Sequence, residues 1–208
     1  MNKTPLLHET WIIAKDHQEI KFEDRHLKIF NNKFGKNISG NIVHFGGGSG
    51  GGIWSYILAK NATKLTIVDY SPAMIKIIKN TFKLNNLSTK NIDIVCDLME
   101  SYNKNLPQAD FVIFTWSMSF SNLNKTIKNI TKNCKKGCKV IIAETLRPIL
   151  ASMRTDLSKE TRSEMIKWKN NMLKIEELFN KNKEWKKSQK KEILGRGIPD
   201  LMLYYKKK

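Results

Sequence analysis

The chain has 208 residues, 40% apolar and 27% charged, which is the composition of a globular protein with a substantial core and excludes a disordered or fibrous class. No apolar run approaches the ~20 residues that span a bilayer, no stretch near Met1 has the length of a secretory h-region, and three cysteines (Cys96, Cys134, Cys138) are too few, and odd in number, for a disulfide framework, so the sequence predicts a cytoplasmic protein without a membrane span. The net charge is +18, but 32 of the 37 basic residues are Lys, whereas Arg is the side chain suited to bidentate phosphate and base contacts; the excess therefore reads first as a solvated lysine surface and second as a surface for nucleic acid.

Residues 6–34 are amphipathic and predict a helical cap, with Leu27, Phe30 and Phe34 at one-face spacing and His8, His17 and His26 in the same segment. Gly35 and Gly40 bracket a break. Residues 41–45 predict a first strand, running into the glycine stretch Gly46-Gly47-Gly48-Ser49-Gly50-Gly51-Gly52, and residues 50–60 a helix. A second strand over 64–69 ends in Asp69; Ser71-Pro72 then opens a helix whose apolar side is Met74, Ile75, Ile77, Ile78 and Phe82. A third strand over 91–97 ends in Asp97. Residues 109–115, nearly all apolar, read as a buried parallel strand, 122–133 as a helix stopped at Gly137, and 139–144 as a fifth strand.

After residue 150 the pattern changes. Met165, Trp168, Met172, Ile175 and Phe179 recur at helical spacing as a core-facing stripe, and Thr161-x-x-Glu164 fits a capping box. Residues 190–194 and 200–205, separated by Gly195-Arg196-Gly197-Ile198-Pro199, predict a hairpin closing the sheet edge. The expected architecture is α/β: a Rossmann-like, doubly wound, mostly parallel sheet with a C-terminal antiparallel hairpin and an N-terminal helical segment. One domain is expected over 1–208, divided into a 1–40 cap, a 41–146 cofactor-binding core and a 147–208 helix plus hairpin. Cys134-x-x-x-Cys138 has no second pair to complete a metal site, so no metal is predicted.

The glycine stretch carries the chemistry. Strand, glycine turn and helix start present unpaired backbone amides to a ligand, with the helix dipole behind them. Asp69 follows Gly50 by 19 residues, the distance at which such folds bind a ribose. Gly46-x-Gly48-x-x-Gly51 fits a dinucleotide pattern, and Gly46-x-Gly48-x-Gly50 an S-adenosylmethionine pattern. About 58 residues after the fifth strand leave little room for the second substrate-binding unit of a dehydrogenase. Asp97, at a neighbouring strand tip, suits an adenine amine, which a carboxylate accepts well.

With these features the chain resembles the class I S-adenosylmethionine-dependent methyltransferases over about residues 41–146. Ile42-Val43-His44-Phe45-Gly46-Gly47-Gly48-Ser49-Gly50 is similar to their first motif, residues 109–116 to their fourth strand, and Lys135-Lys136-Gly137-Cys138 with the strand that follows to their segment before strand five. His44 stands where the family usually has an acid that braces the glycine loop; Lys136 and Cys138 replace a proline and a glycine. The resemblance implies S-adenosyl-L-methionine as cofactor. Gly46, Gly48 and Gly50 would approach its methionine and ribose, Asp69 its ribose hydroxyls, and Asp97 its adenine, with Tyr70, Met74, Leu98 and Thr115 alongside. Trp116, His17 and Glu144 are the expected acceptor-binding residues, and no catalytic base is assigned. The absence of an Asn-Pro-Pro-Tyr-like sequence after strand four and of a Pro-Cys pair argues against methylation of nucleobase amines or pyrimidine carbon-5. A compact single domain with no added recognition unit makes N or O of a small molecule the expected acceptor. RNA, protein, or a non-catalytic role as a partner subunit stand as alternatives.

Overall fold

The structure, a computed structural model, describes residues 21–48, 52–145, 159–195 and 198–208. In chain order the elements are α1 (Asp24–Phe34), β1 (Gly40–Phe45), α2 (Ile53–Asn61), β2 (Ala62–Asp69), α3 (Pro72–Leu84), β3 (Ile92–Cys96), β4 (Phe111–Thr115), α4 (Leu123–Asn133), β5 (Lys139–Thr145), α5 (Lys159–Lys181), β6 (Trp185–Gly195) and β7 (Ile198–Lys207). Single 3-10 turns cover Leu106–Gln108 and Met118–Phe120. The strands form one seven-stranded sheet in the order β3-β2-β1-β4-β5-β7-β6. The first five are mutually parallel, and β7 pairs antiparallel with both β5 and β6.

Alternation along the strands sorts the core onto the two faces of the sheet. Ile42, Leu65, Ile67, Ile113 and Ile141 face a cluster with Phe30 and Phe34 of α1, Ile53 and Ile57 of α2, and Ile78 and Phe82 of α3. Val43, Val112, Phe114, Val140 and Ile142 face Ile127 and Ile130 of α4, with Ile175 and Phe179 of α5. Burying both faces is why these strands read as continuous apolar runs. Of the predicted α5 stripe, Trp168, Met172, Ile175 and Phe179 are all buried, and the Met165 side chain lies outside what the structure describes. Of the predicted cap, 24–34 is helical, its Phe30 and Phe34 rings stacked 4.7 Å apart and close to Trp54. Residues 1–20, with His8 and His17, lie outside the described residues, as does Gly50.

The helix starts follow local capping chemistry. The Ser71 hydroxyl accepts from the Met74 amide ahead of Pro72, and Asn122 Oδ1 accepts from Lys125 N at α4. Both helices run back antiparallel to the strands that precede them, so each returns the chain to the amino edge and every parallel strand ends at the same opposite edge. No described helix is long and apolar enough to cross a membrane.

Candidate active site

Strand order reverses between β1 and β4, where a doubly wound sheet opens a crevice beyond its strand ends. Register pairs Asp69 with Cys96, Phe45 with Val68 and Phe45 with Phe114, which sets Asp97, Asp69, Gly46 and Thr115 side by side along that edge. Backbone bonds tie the tips together: Gly46 N–H donates to Val68 O and Asp97 N–H to Asp69 O.

The glycine turn is built by close approach. Gly46 has φ +73°, and a Cβ there would lie 2.4 Å from Ser117 Cβ. At Gly48 a Cβ would meet Met74 Cβ at 2.5 Å. Under this turn sits His44, wholly buried on the α2 face of the sheet. Its Nδ1 lies 2.9 Å from Ser55 Oγ and its Nε2 2.8 Å from Thr115 Oγ1. Ser55 Oγ in turn reaches the Gly47 carbonyl at 2.9 Å, and Thr115 Oγ1 the Gly46 carbonyl at 3.0 Å. Burial lowers the His44 pKa from 6.5 to about 3, so the ring is neutral at physiological pH.

Asp69 is buried at the β2 tip. Its Oδ2 accepts from Gly48 N–H at 3.2 Å and its Oδ1 from Ser71 N–H at 3.1 Å, joining the glycine turn to the start of α3. Burial raises its pKa to about 6, and the two amides oppose the shift. Asp97 is exposed; its Oδ1 accepts from Leu98 N–H at 2.7 Å and from the Ser101 hydroxyl at 3.3 Å. Leu98 beside it is 54% exposed, an apolar side chain facing solvent at the same edge. Tyr70 is half-buried, and its carbonyl accepts from Cys96 Sγ at 3.5 Å.

The segment after β4 is locked from below by Glu144. This carboxylate, 2% exposed, accepts from the Ser119 amide at 3.1 Å and the Ser119 hydroxyl at 2.9 Å, and the Ser117 and Met118 amides also favour its charge. Burial still raises its pKa, to about 7. Trp116 takes φ +48°, a left-handed conformation that costs a bulky residue energy and marks a held loop. The Lys33 ammonium of α1 lies 5.5 Å from the centre of its ring. On the other side, Asn171 Nδ2 of α5 donates to Ser119 O at 2.8 Å.

The expected cofactor residues Gly46, Gly48, Asp69, Tyr70, Met74, Asp97, Leu98 and Thr115 are thus brought to one edge. Thr115 and Glu144 use their side chains on neighbouring loops. Sequence reasoning missed Ser55, Ser117, Ser119 and Lys33. Ser55 left a signal, a lone serine among the large side chains of Ile53–Leu58, a run that is buried throughout; Lys33 left none among 32 lysines.

Residues 46–137 match the family model described as a methyltransferase domain. No curated protein matches the sequence. Among solved structures, the PH0226 protein of Pyrococcus horikoshii is similar at 17% identity and TM-score 0.67, over 96% of this chain and 99% of that one. The N-methyltransferase NodS of Bradyrhizobium japonicum, solved with S-adenosyl-L-homocysteine, is similar at 12% identity and TM-score 0.60, over 88% and 86%. An rRNA methylase of Streptococcus thermophilus is similar at 13% identity and TM-score 0.54, over 100% and 98%. Identities this low speak for the fold alone, which this chain shares with these three structures.

Proposed function

We propose that the chain is an S-adenosylmethionine-dependent methyltransferase acting on N or O of a small acceptor. The observation that carries this reading is the convergence of the glycine turn, Asp69 and Asp97 on one sheet edge. The residues fit the cofactor. Glycines seated against Ser117 and Met74, where no Cβ would fit, keep the turn tight over the strand tips. Asp69 uses one lone-pair direction on each oxygen for an amide, which leaves one on each for a ribose diol. Asp97 offers Oδ2, without a partner among the described residues, to an adenine amine.

The cofactor supplies an electrophilic methyl on a sulfonium; the protein aligns and desolvates the reacting groups. In this reading Tyr70 and Leu98 flank the adenine, and Met74 backs the turn at Gly48. Trp116 borders the acceptor, held in place by the loop that Glu144 fixes through Ser119.

Calorimetry tests this directly. Micromolar binding of S-adenosylmethionine and of its demethylated product is expected. Asp69→Ala should weaken both about 10- to 100-fold, the value of a charge-assisted hydrogen-bond pair, with an unchanged circular dichroism spectrum. No heat with either ligand would overturn the proposal. The +18 charge keeps an RNA acceptor as a second reading; it requires RNA retention that falls steeply with added salt.

A further inference from the structure

The His44 brace does not have enough hydrogens. Four contacts join the ring to the glycine turn: Nδ1 with Ser55 Oγ, Ser55 Oγ with the Gly47 carbonyl, Nε2 with Thr115 Oγ1, and Thr115 Oγ1 with the Gly46 carbonyl. Each needs one hydrogen. The two hydroxyls bring two and a neutral ring brings one. A charged ring would complete the set, but His44 has no exposed surface and no carboxylate pairs with it among the described residues. An unpaired buried imidazolium is costly, and burial pushes the ring toward neutrality.

We propose that His44 is a positioning residue whose single N–H moves between two tautomers, each of which frees a different carbonyl of the glycine turn from its hydroxyl donor. With the hydrogen on Nδ1, the ring donates to Ser55, Ser55 donates to the Gly47 carbonyl, and the Thr115 hydroxyl turns to Nε2 and away from Gly46. With the hydrogen on Nε2 the roles reverse: Thr115 holds the Gly46 carbonyl and the Ser55 hydroxyl leaves Gly47 for Nδ1. The distances suit both arrangements, since all four lie between 2.8 and 3.0 Å. A ligand ammonium or amide that donates to one carbonyl fills that acceptor and fixes the tautomer. His44 and Thr115 lie on the same face of adjacent strands and Ser55 is the third residue of α2, so the relay spans β1, β4 and α2 and couples the turn to all three.

This inference rests on the cofactor-binding reading, and the test separates the two. Nitrogen-15 imidazole spectra of the full chain are recorded at pH 7 with and without S-adenosylhomocysteine, and the His44 signals are assigned by their loss in His44→Gln. In the free protein both ring nitrogens should resonate at positions averaged between protonated and bare. Saturating ligand should split them into one of each kind. The same single tautomer in both states, or two protonated nitrogens in either, would overturn the inference. Asn places a polar atom near Nδ1 and Gln near Nε2, so His44→Asn preserves the Ser55 arm and His44→Gln the Thr115 arm. One of the two variants should bind the ligand within about threefold of the parent and the other about tenfold more weakly or worse; equal losses in both speak against the relay. Absence of heat from the unmodified chain removes the functional reading and this inference together, whereas heat with an unmoved tautomer removes this inference alone.

Discussion

Beneath the glycine turn the sheet treats polar residues in the opposite way from its amino edge, although Asp97 beside the turn is exposed. At the carboxyl edge, Ser55, His44, Thr115 and Glu144 are each 2% exposed or less, and Asp69 only 8%. At the amino edge the polar contacts are solvated: Lys135 meets Asp110 at 2.6 Å and Lys64 meets Asp93 at 3.0 Å, with every partner more than 40% exposed. The carboxylates register the difference. Burial raises Asp69 and Glu144 to about 6 and about 7, whereas the hydrogen bond from Lys135 holds Asp110 below its ordinary range. An aspartate at a strand end therefore carries no fixed meaning. Desolvation concentrates around the glycine turn, and the ion pairs of the amino edge stay in water.

Substitutions at the carboxyl edge should therefore cost far more than at the amino edge. Gly46→Ala forces a side chain into left-handed backbone and against Ser117. Strain of about 1–2 kcal/mol and overpacking of about 1–3 kcal/mol together predict a loss of about 3 kcal/mol in urea unfolding.

The buried groups at this edge also predict opposed pH slopes. His44 is depressed from 6.5 to about 3, so the unfolded chain binds more protons across that window, and this contribution is lost as pH falls from 6.5 toward 3. Asp69 is raised from 3.8 to about 6 and Glu144 from 4.5 to about 7; the folded chain holds those protons, and their contribution is lost as pH rises through the folded values. Between pH 4.5 and 6 one slope works against two. His44→Gln removes the single opposing one, so its stability should fall with rising pH by about 1.4 kcal/mol per unit more steeply than the parent. Denaturant melts at pH 4.5, 5 and 6 check it; parallel curves would mean the ring is not neutralised by burial.

Trp116→Gly sharpens the distinction between holding a loop and filling a core. Glycine adopts φ +48° freely, so relief of strain should offset the lost ring contact with Lys33 and leave stability within about 1 kcal/mol of the parent. Affinity for the demethylated cofactor should stay within about threefold, and only methyl transfer should suffer. The smallest effect belongs to the amino edge: Lys135→Ala should cost under about 1 kcal/mol, and molar salt should erase it.

Much of the fold is legible in the chain because two-faced burial leaves a plain trace. Residues 41–45, 64–69, 91–97, 109–115 and 139–144 read as strands, and the structure has β1 to β5 within about two residues of each. The hairpin reads as 190–194 and 200–205, whereas β6 begins at Trp185 and β7 runs on to Lys207. Lys186, Lys187 and Lys190 hide the start of β6, since an edge strand carries charge on residues that pairing, rather than burial, keeps extended. At the site, glycines and carboxylates at strand tips announce themselves by type and spacing. The hydroxyls that brace them do not. Ser55 and Thr115 join His44 only through contacts 11 and 71 residues apart, and no local pattern encodes the second of these.

The place of β7 bears on how the chain is made. Ile198–Lys207 comes after Trp185–Gly195 in sequence but lies inside it in the sheet, and among the described residues β6 pairs with β7 alone. While the ribosome is still adding residues before 198, the apolar rung 140–143 of β5 has an open flank, and Trp185–Gly195 lacks the strand it pairs with. The nascent protein must shield that flank until the hairpin arrives as a unit. A premature stop within 198–207 would strip away two strands rather than one and leave a sticky, unfinished sheet for proteases and chaperones to find.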